Sequence, residues 1–306
     1  MKTTAAATSL LLLATAANAH LTMWHPALFG YNYPNQSTDA VQNRNQNAPV
    51  APLRARENMN LTAWFWRFAD YPPAPGEFLH LPSEGEVVGE ISCNRAFTSG
   101  GVPDAPRSPF ACREEGPLHT ANRFNKPPDA KYFGGTALSI AYESDVRKVR
   151  PEDFTIISVN ATSPWANRTT YALPRLPECP KGGCLVGWHW IHQKTNGEGY
   201  GDEMYFTMYR AVVDRPGKKA KVGKGAVPKY CPGGGCVAGP KQPMFLFMKE
   251  GNNMDYKVVA AKENPTYARD YGFKDGAQKD AISGALGLAP SGAVLAAALL
   301  AAAFAL

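Results

Sequence analysis

The sequence predicts an all-β protein, an immunoglobulin-like β-sandwich with long loops, in which helices occur only as short turns. Three observations carry that prediction. Runs of aromatic and β-branched residues alternate with polar ones over five to ten positions. Turn residues separate the runs, in a chain that holds 28 Gly and 26 Pro. No long segment repeats apolar residues at helical spacing between capping residues. Short alternating strands joined by Gly/Pro-rich turns are the pattern of a sandwich.

Taken in order, the expected strands are Leu61 to Phe68, Val87 to Cys93, Thr136 to Tyr142, Phe154 to Val159, Leu185 to His192 and Met204 to Val213. In the first, Trp64 and Trp66 alternate onto one face and read as core. The loops Cys179-Pro-Lys-Gly-Gly-Cys184 and Cys231-Pro-Gly-Gly-Gly-Cys236 are similar, but their flanks do not match, so they are not a repeat.

The two ends set the compartment. Lys2, the apolar heart Leu10 to Leu13 and the small-residue pattern Ala17-Asn18-Ala19 read as a secretory signal over residues 1–19. Cleavage after Ala19 leaves His20 first. At the other end, Ala293 to Leu306 is apolar throughout, with small residues at Ser283, Gly284 and Ala285 upstream. That order is the signal for a glycosylphosphatidylinositol anchor. Ser283 is the expected attachment point, with Gly276 and Asp280 as alternatives, and a transmembrane helix is the other reading of the tail. The expected organisation is a β-sandwich domain over 20–260, a stalk over 261–283 and an anchor propeptide over 284–306. The protein is expected at the cell surface, on the plasma membrane or in the wall, as a monomer.

Six cysteines in an exported chain imply three disulfides. Glycines allow Cys179–Cys184 and Cys231–Cys236 each to close a small loop, and Cys93–Cys112 follows by elimination. Zinc binding is disfavoured by oxidative export and by the absence of two-residue spacing. Sequons stand at Asn35, Asn60, Asn160 and Asn167. The formal net charge of +6 falls to +5 when Lys2 leaves with the signal. The cluster Lys218, Lys219, Lys221 and Lys224 reads as a solvated loop, and no nucleic-acid motif accompanies it.

An N-terminal histidine offers one metal two nitrogens, its α-amine and its own ring Nδ1. Nitrogen ligands in a flat arrangement suit Cu(II), which leads the divalent affinity series. A second imidazole would complete such a brace. His25 is five residues on and faces away in an extended segment. His80 lies in a Pro-rich surface stretch, and alternation places His189 opposite the rings of Trp188 and Trp190. His119 and His192 remain, and composition alone does not choose between them.

Ordered motifs do. The chain resembles auxiliary-activity family 14 of the lytic polysaccharide monooxygenases, a fungal group. The resemblance rests on His20-Leu-Thr-Met-Trp-His-Pro26, Phe29-Gly-Tyr-Asn32, Asp70-Tyr-Pro-Pro73, Glu90-Ile-Ser-Cys-Asn94, Pro151-Glu-Asp-Phe154, Ser158-Val-Asn160, Cys179 to Cys184, Trp190-Ile-His192 and Met204-Tyr205. Glu250-Gly-Asn-Asn-Met254 extends it. It covers about His20 to Arg210 well and the following fifty residues less closely.

The resemblance implies one copper ion per chain, held by His20, His119 and an axial Tyr205, with Tyr209 an outside candidate on the same strand face. It implies a polysaccharide substrate, xylan on cellulose among the possibilities, and an external electron donor. Glu203 stands where related enzymes carry Gln, and can accept a hydrogen bond or act as a general acid if its pKa is raised. His192 is the expected proton or hydrogen-bond donor beside the metal. Tyr31, Tyr33 and Trp24 are candidates for stacking on sugar rings. The alternative reading is a non-catalytic copper binder serving uptake or wall copper balance.

Overall fold

A computed structural model of the chain describes residues 20–34, 47–103, 108–112, 133–193, 200–255 and 265–283. Two sheets form its centre. The smaller has the order β1-β3-β6, from β1 (Thr22–Trp24), β3 (Glu86–Ser92) and β6 (Arg168–Ala172). The larger has the order β10-β5-β4-β7-β8-β2. Its members are β2 (Leu79–Pro82), β4 (Thr136–Ala141), β5 (Thr155–Asn160), β7 (Cys184–Gln193), β8 (Tyr200–Asp214) and β10 (Gly276–Ala277). A two-stranded ribbon joins β9 (Lys221–Val222) to β11 (Ile282–Ser283). Helical turns among the described residues are all three-residue 3-10 segments, so the all-β sandwich expected from the sequence is the fold.

The six-stranded sheet is buried on both faces. One face packs on the small sheet through Leu21, Met23, Trp24, Tyr171, Trp188, Trp190, Tyr205 and Tyr209. The other lies under irregular chain that supplies Trp64, Phe65, Met244 to Met248, Tyr267, Tyr271 and Phe273. This double cover explains why every residue of β4 is buried rather than alternate ones. The cover is held by side chains acting as staples. Asn253 accepts from Phe245 N–H at 2.8 Å and donates to Pro243 O at 2.7 Å. Asn252 bonds both backbone groups of Met248.

Five of the six expected strands form. Leu61 to Phe68 instead coils into successive turns, with Trp64 N–H bonded to Asn60 O and Trp66 N–H to Leu61 O. Trp64 is buried and Trp66 half-buried, its Nε1 donating to Val149 O at 3.2 Å. Aromatic density marked burial here correctly and conformation wrongly, since the segment covers a sheet face and has no strand beside it.

The expected stalk is also corrected over its described part. Tyr267 and Tyr271 are fully buried, and Phe273 is nearly so. Gly276 pairs with Val159, Ile282 pairs with Val222, and Lys241 Nζ contacts Asp280 at 3.3 Å. Residues 267–283 are part of the domain. Gly276 is half-buried and paired within the sheet, whereas Asp280, in contact with Lys241, and Ser283 at the end of the last strand are both exposed. Among the described residues no helix is long and apolar enough to cross a membrane, and both 1–19 and 284–306 lie outside them.

All three disulfides are present: Cys93–Cys112, Cys179–Cys184 and Cys231–Cys236, with Cα separations of 5.5, 5.2 and 5.2 Å. Of the sequons, Asn60 is exposed. Asn160 and Asn167 are half-buried, their amides donating to Thr170 O and Ile91 O. Asn35 lies outside the described residues.

Candidate metal centre

One edge of β8 organises the site. Leu53 and Met204 exchange backbone hydrogen bonds at 2.8 and 3.0 Å, which lays the 48–57 segment along the strand and brings Arg54 beside Glu203. On the opposite edge, Trp190 of β7 faces Tyr205 and Ile191 faces Met204, with a register shift just beyond at His192. Strand periodicity puts Glu203 and Tyr205 on one face, two residues apart. β1 crosses that face, so His20, two residues before it, reaches the same place.

The contacts are close. His20 is half-buried, and its ring lies 6.2 Å from that of Tyr205. Tyr205 stacks on Trp190 at 4.5 Å and 26°, and Trp190 lies 5.4 Å from His192. The Tyr205 hydroxyl donates to Glu203 Oε2 at 2.7 Å. Arg54 donates to Glu203 Oε1 from Nε at 2.7 Å and also from Nη2. The same Nη2 is 3.3 Å from His20 Nε2. Glu57 accepts from Arg54 N–H at 2.9 Å and stands 3.6 Å from Nη1.

Electrostatics follow from these contacts. Burial lowers the His20 pKa, opposed by Glu203, reinforced by Arg54 and opposed again by Glu57. Its ring is thus held neutral, as a metal ligand must be. For Glu203, burial alone would raise the pKa. Hydrogen bonds from Tyr205 and Arg54, with the charges of His192 and Arg54, outweigh burial and hold the carboxyl low. Of the two roles the sequence leaves open for Glu203, these contacts favour the acceptor.

The donor set fits copper. His20 Nε2 faces Arg54, which leaves Nδ1 as the ring nitrogen open to a metal. A phenol oxygen stands nearby on Tyr205. No group of three His, Cys, Asp or Glu poised to hold a metal occurs among the described residues. His119, the remaining expected ligand, lies outside them.

The other candidates separate cleanly. Tyr209 is fully buried, donates to Met23 O and bonds Thr207 Oγ1 at 2.9 Å, so it faces the core rather than the site. His189 is buried on the opposite sheet face and pairs with Ser139 Oγ at 2.6 Å. His80 is exposed and contacts Asp214 at 3.0 Å, while His25 Nδ1 accepts from Ala27 N–H. Trp24 is buried with Nε1 on Ser92 O, and Tyr31 is buried under Arg95 at 3.7 Å, so neither offers a sugar platform. Tyr33 is half-buried against Phe68 and Tyr71. Arg54 is the participant that sequence reasoning missed. Its only sequence signal was Glu57 three residues on, which marks a local turn and says nothing of Glu203.

Comparison with known proteins adds a family. The model of the lytic polysaccharide monooxygenase AA14 family matches residues 2–304. The AA14 family lytic polysaccharide monooxygenase B of Pycnoporus cinnabarinus is 35% identical over 282 residues, covering 86% of this chain and 70% of that protein. The B enzyme of Trametes coccinea is 34% identical over 281 residues, covering 86% and 62%. The A enzyme of Trametes coccinea is 34% identical over 286 residues, covering 87% and 62%. The chain thus spans less than two thirds of the two Trametes proteins.

Proposed function

Because this chain belongs to the AA14 family of lytic polysaccharide monooxygenases, we propose that it oxidatively cleaves a wall polysaccharide at a copper site built on His20. In this reading the His20 amine and Nδ1, the His119 ring and the Tyr205 hydroxyl hold one copper ion. The observation that carries it is the convergence of half-buried His20 and buried Tyr205, 185 positions apart, with their ring centroids 6.2 Å apart.

Bound copper supplies the one-electron and oxygen chemistry, fed by an external reductant. The protein's residues do the rest. Burial keeps the His20 ring neutral and ready to ligate. Trp190 fixes the Tyr205 ring by stacking. Glu203 takes the phenol proton's hydrogen bond, leaving the oxygen lone pairs for the metal side. His192, on the face shared by Trp190, is the donor to a reacting oxygen. Family membership favours this enzyme over the copper-carrier alternative.

Substrate, setting and assembly belong to the same proposal: xylan bound to cellulose as substrate, a signal-processed monomeric chain, and a lipid anchor at Ser283 holding it at the cell surface. The test is product analysis by mass spectrometry after incubation with xylan-coated cellulose, copper and a reductant. Oxidised oligosaccharides are expected from the processed chain and not from His20→Ala. Copper binding without any oxidised product overturns the enzymatic reading. Release from cells by phospholipase tests the anchor.

A further inference from the structure

Arg54 has more contacts at the site than any ligand assignment requires. One guanidinium reaches three groups: Glu57 through Nη1, Glu203 Oε1 through Nε and Nη2, and His20 Nε2 through Nη2. The ion pair is largely shielded, the two side chains being 18% and 14% exposed. The loop has a second attachment independent of it, the Leu53–Met204 backbone bonds.

Its geometric effect falls on Glu203. A carboxylate has two oxygens, and here each has its own partner. With Oε1 taken by the planar fork, Oε2 is aimed at the Tyr205 hydroxyl, 2.7 Å away. A phenol that donates in that direction presents its lone pairs elsewhere. We propose that Arg54 is a positioning residue of the metal site: by pinning Glu203 it fixes the Tyr205 hydroxyl, and through Nη2 it sets the face of the His20 ring. This rests on His20 and Tyr205 being copper ligands. Lysine is not an equivalent, since it lacks the planar fork that places two nitrogens on Glu203 Oε1 and one of them also beside His20 Nε2.

The test uses the full processed chain loaded with Cu(II), followed by electron paramagnetic resonance, copper titration and thermal melting. Arg54→Gln is expected to change the copper hyperfine pattern and to weaken copper binding on the order of tenfold, as loss of an outer partner does. Arg54→Lys keeps the charge and folds under the same constraints, and is expected to show the same spectral change to a smaller degree. Glu203→Leu is expected to change the spectrum, and Arg54→Gln added to it to change it little further, because Arg54 acts mainly through Glu203.

Wild-type spectra and affinity in both Arg54 variants overturn the inference. So does an Arg54→Gln effect that persists undiminished in the Glu203→Leu background, which would mark a direct charge effect. If the unaltered chain takes up no copper, the ligand assignment itself fails and this inference falls with it; copper uptake with silent Arg54 variants overturns this inference alone.

Discussion

Arg54 and Glu203, 149 residues apart in the chain, meet as an ion pair beside His20, with Nε and Nη2 of the guanidinium both on Glu203 Oε1. The pairing joins a loop to the start of a long strand. It leaves Glu203 with one oxygen for the guanidinium and one for Tyr205. Glu203 is thus an engaged acceptor, with its charge matched by a cation that the sequence does not advertise.

Removing one partner should therefore cost stability. Glu203→Leu strands the Arg54 cation in a mostly shielded place and deprives the Tyr205 hydroxyl of its acceptor. A loss of about 1–3 kcal/mol is expected, below the full cost of breaking a deeply buried pair because both side chains keep some solvent contact. Urea unfolding of the two proteins measures it. The companion Arg54→Gln change should restore part of the loss.

His189 makes stability depend on pH. Burial lowers its pKa to about 3, far below the ordinary 6.5, in a pocket of Phe154, Phe206, Phe245 and Tyr267. The unfolded chain takes up this proton near pH 6.5 and the folded chain does not. The contribution is thus complete above about pH 6.5 and is lost as pH falls toward 3. Its slope approaches about 1.4 kcal/mol per pH unit. Denaturation midpoints followed from pH 7 to pH 4 should fall more steeply for the wild type than for the double variant Ser139→Ala/His189→Leu, which has nothing there to titrate.

The segment read as a stalk should behave as core. Tyr271 is fully buried among the aromatic residues that cover the large sheet. Tyr271→Ala is expected to destabilise the domain by about 3–5 kcal/mol, the range for deleting a large buried ring. A true stalk would tolerate the change with an unaltered unfolding curve.

Much of this was legible in the sequence. Strands β3, β4, β5, β7 and β8 announced themselves because alternation and turn residues are local signals. His20 was singled out in the sequence by the cleavage pattern before it, and the fold sets its ring near that of Tyr205. The disulfides followed from spacing and elimination. What escaped depended on distant packing. Trp64 and Trp66 carried strand-like composition, yet their segment coils over a sheet face, and nothing within it records the absence of a pairing partner. Tyr267, Tyr271 and Phe273 were diluted by Lys, Asp and Gly, so their joint burial under one sheet was invisible until the fold brought them together. Arg54 looked like one surface cation among many. Its role appears only when Leu53 pairs with Met204.

The central claim is that the metal is held by the amine and ring of His20. Copper titration by calorimetry, with the N-terminus defined by mass spectrometry, tests it most directly. The chain beginning at His20 should bind one copper ion per molecule. A chain that keeps Ala19 has no amine at that place, and together with His20→Ala it should bind at least about a hundredfold more weakly, since each loses an inner ligand. Equal affinity in the three proteins would contradict the account.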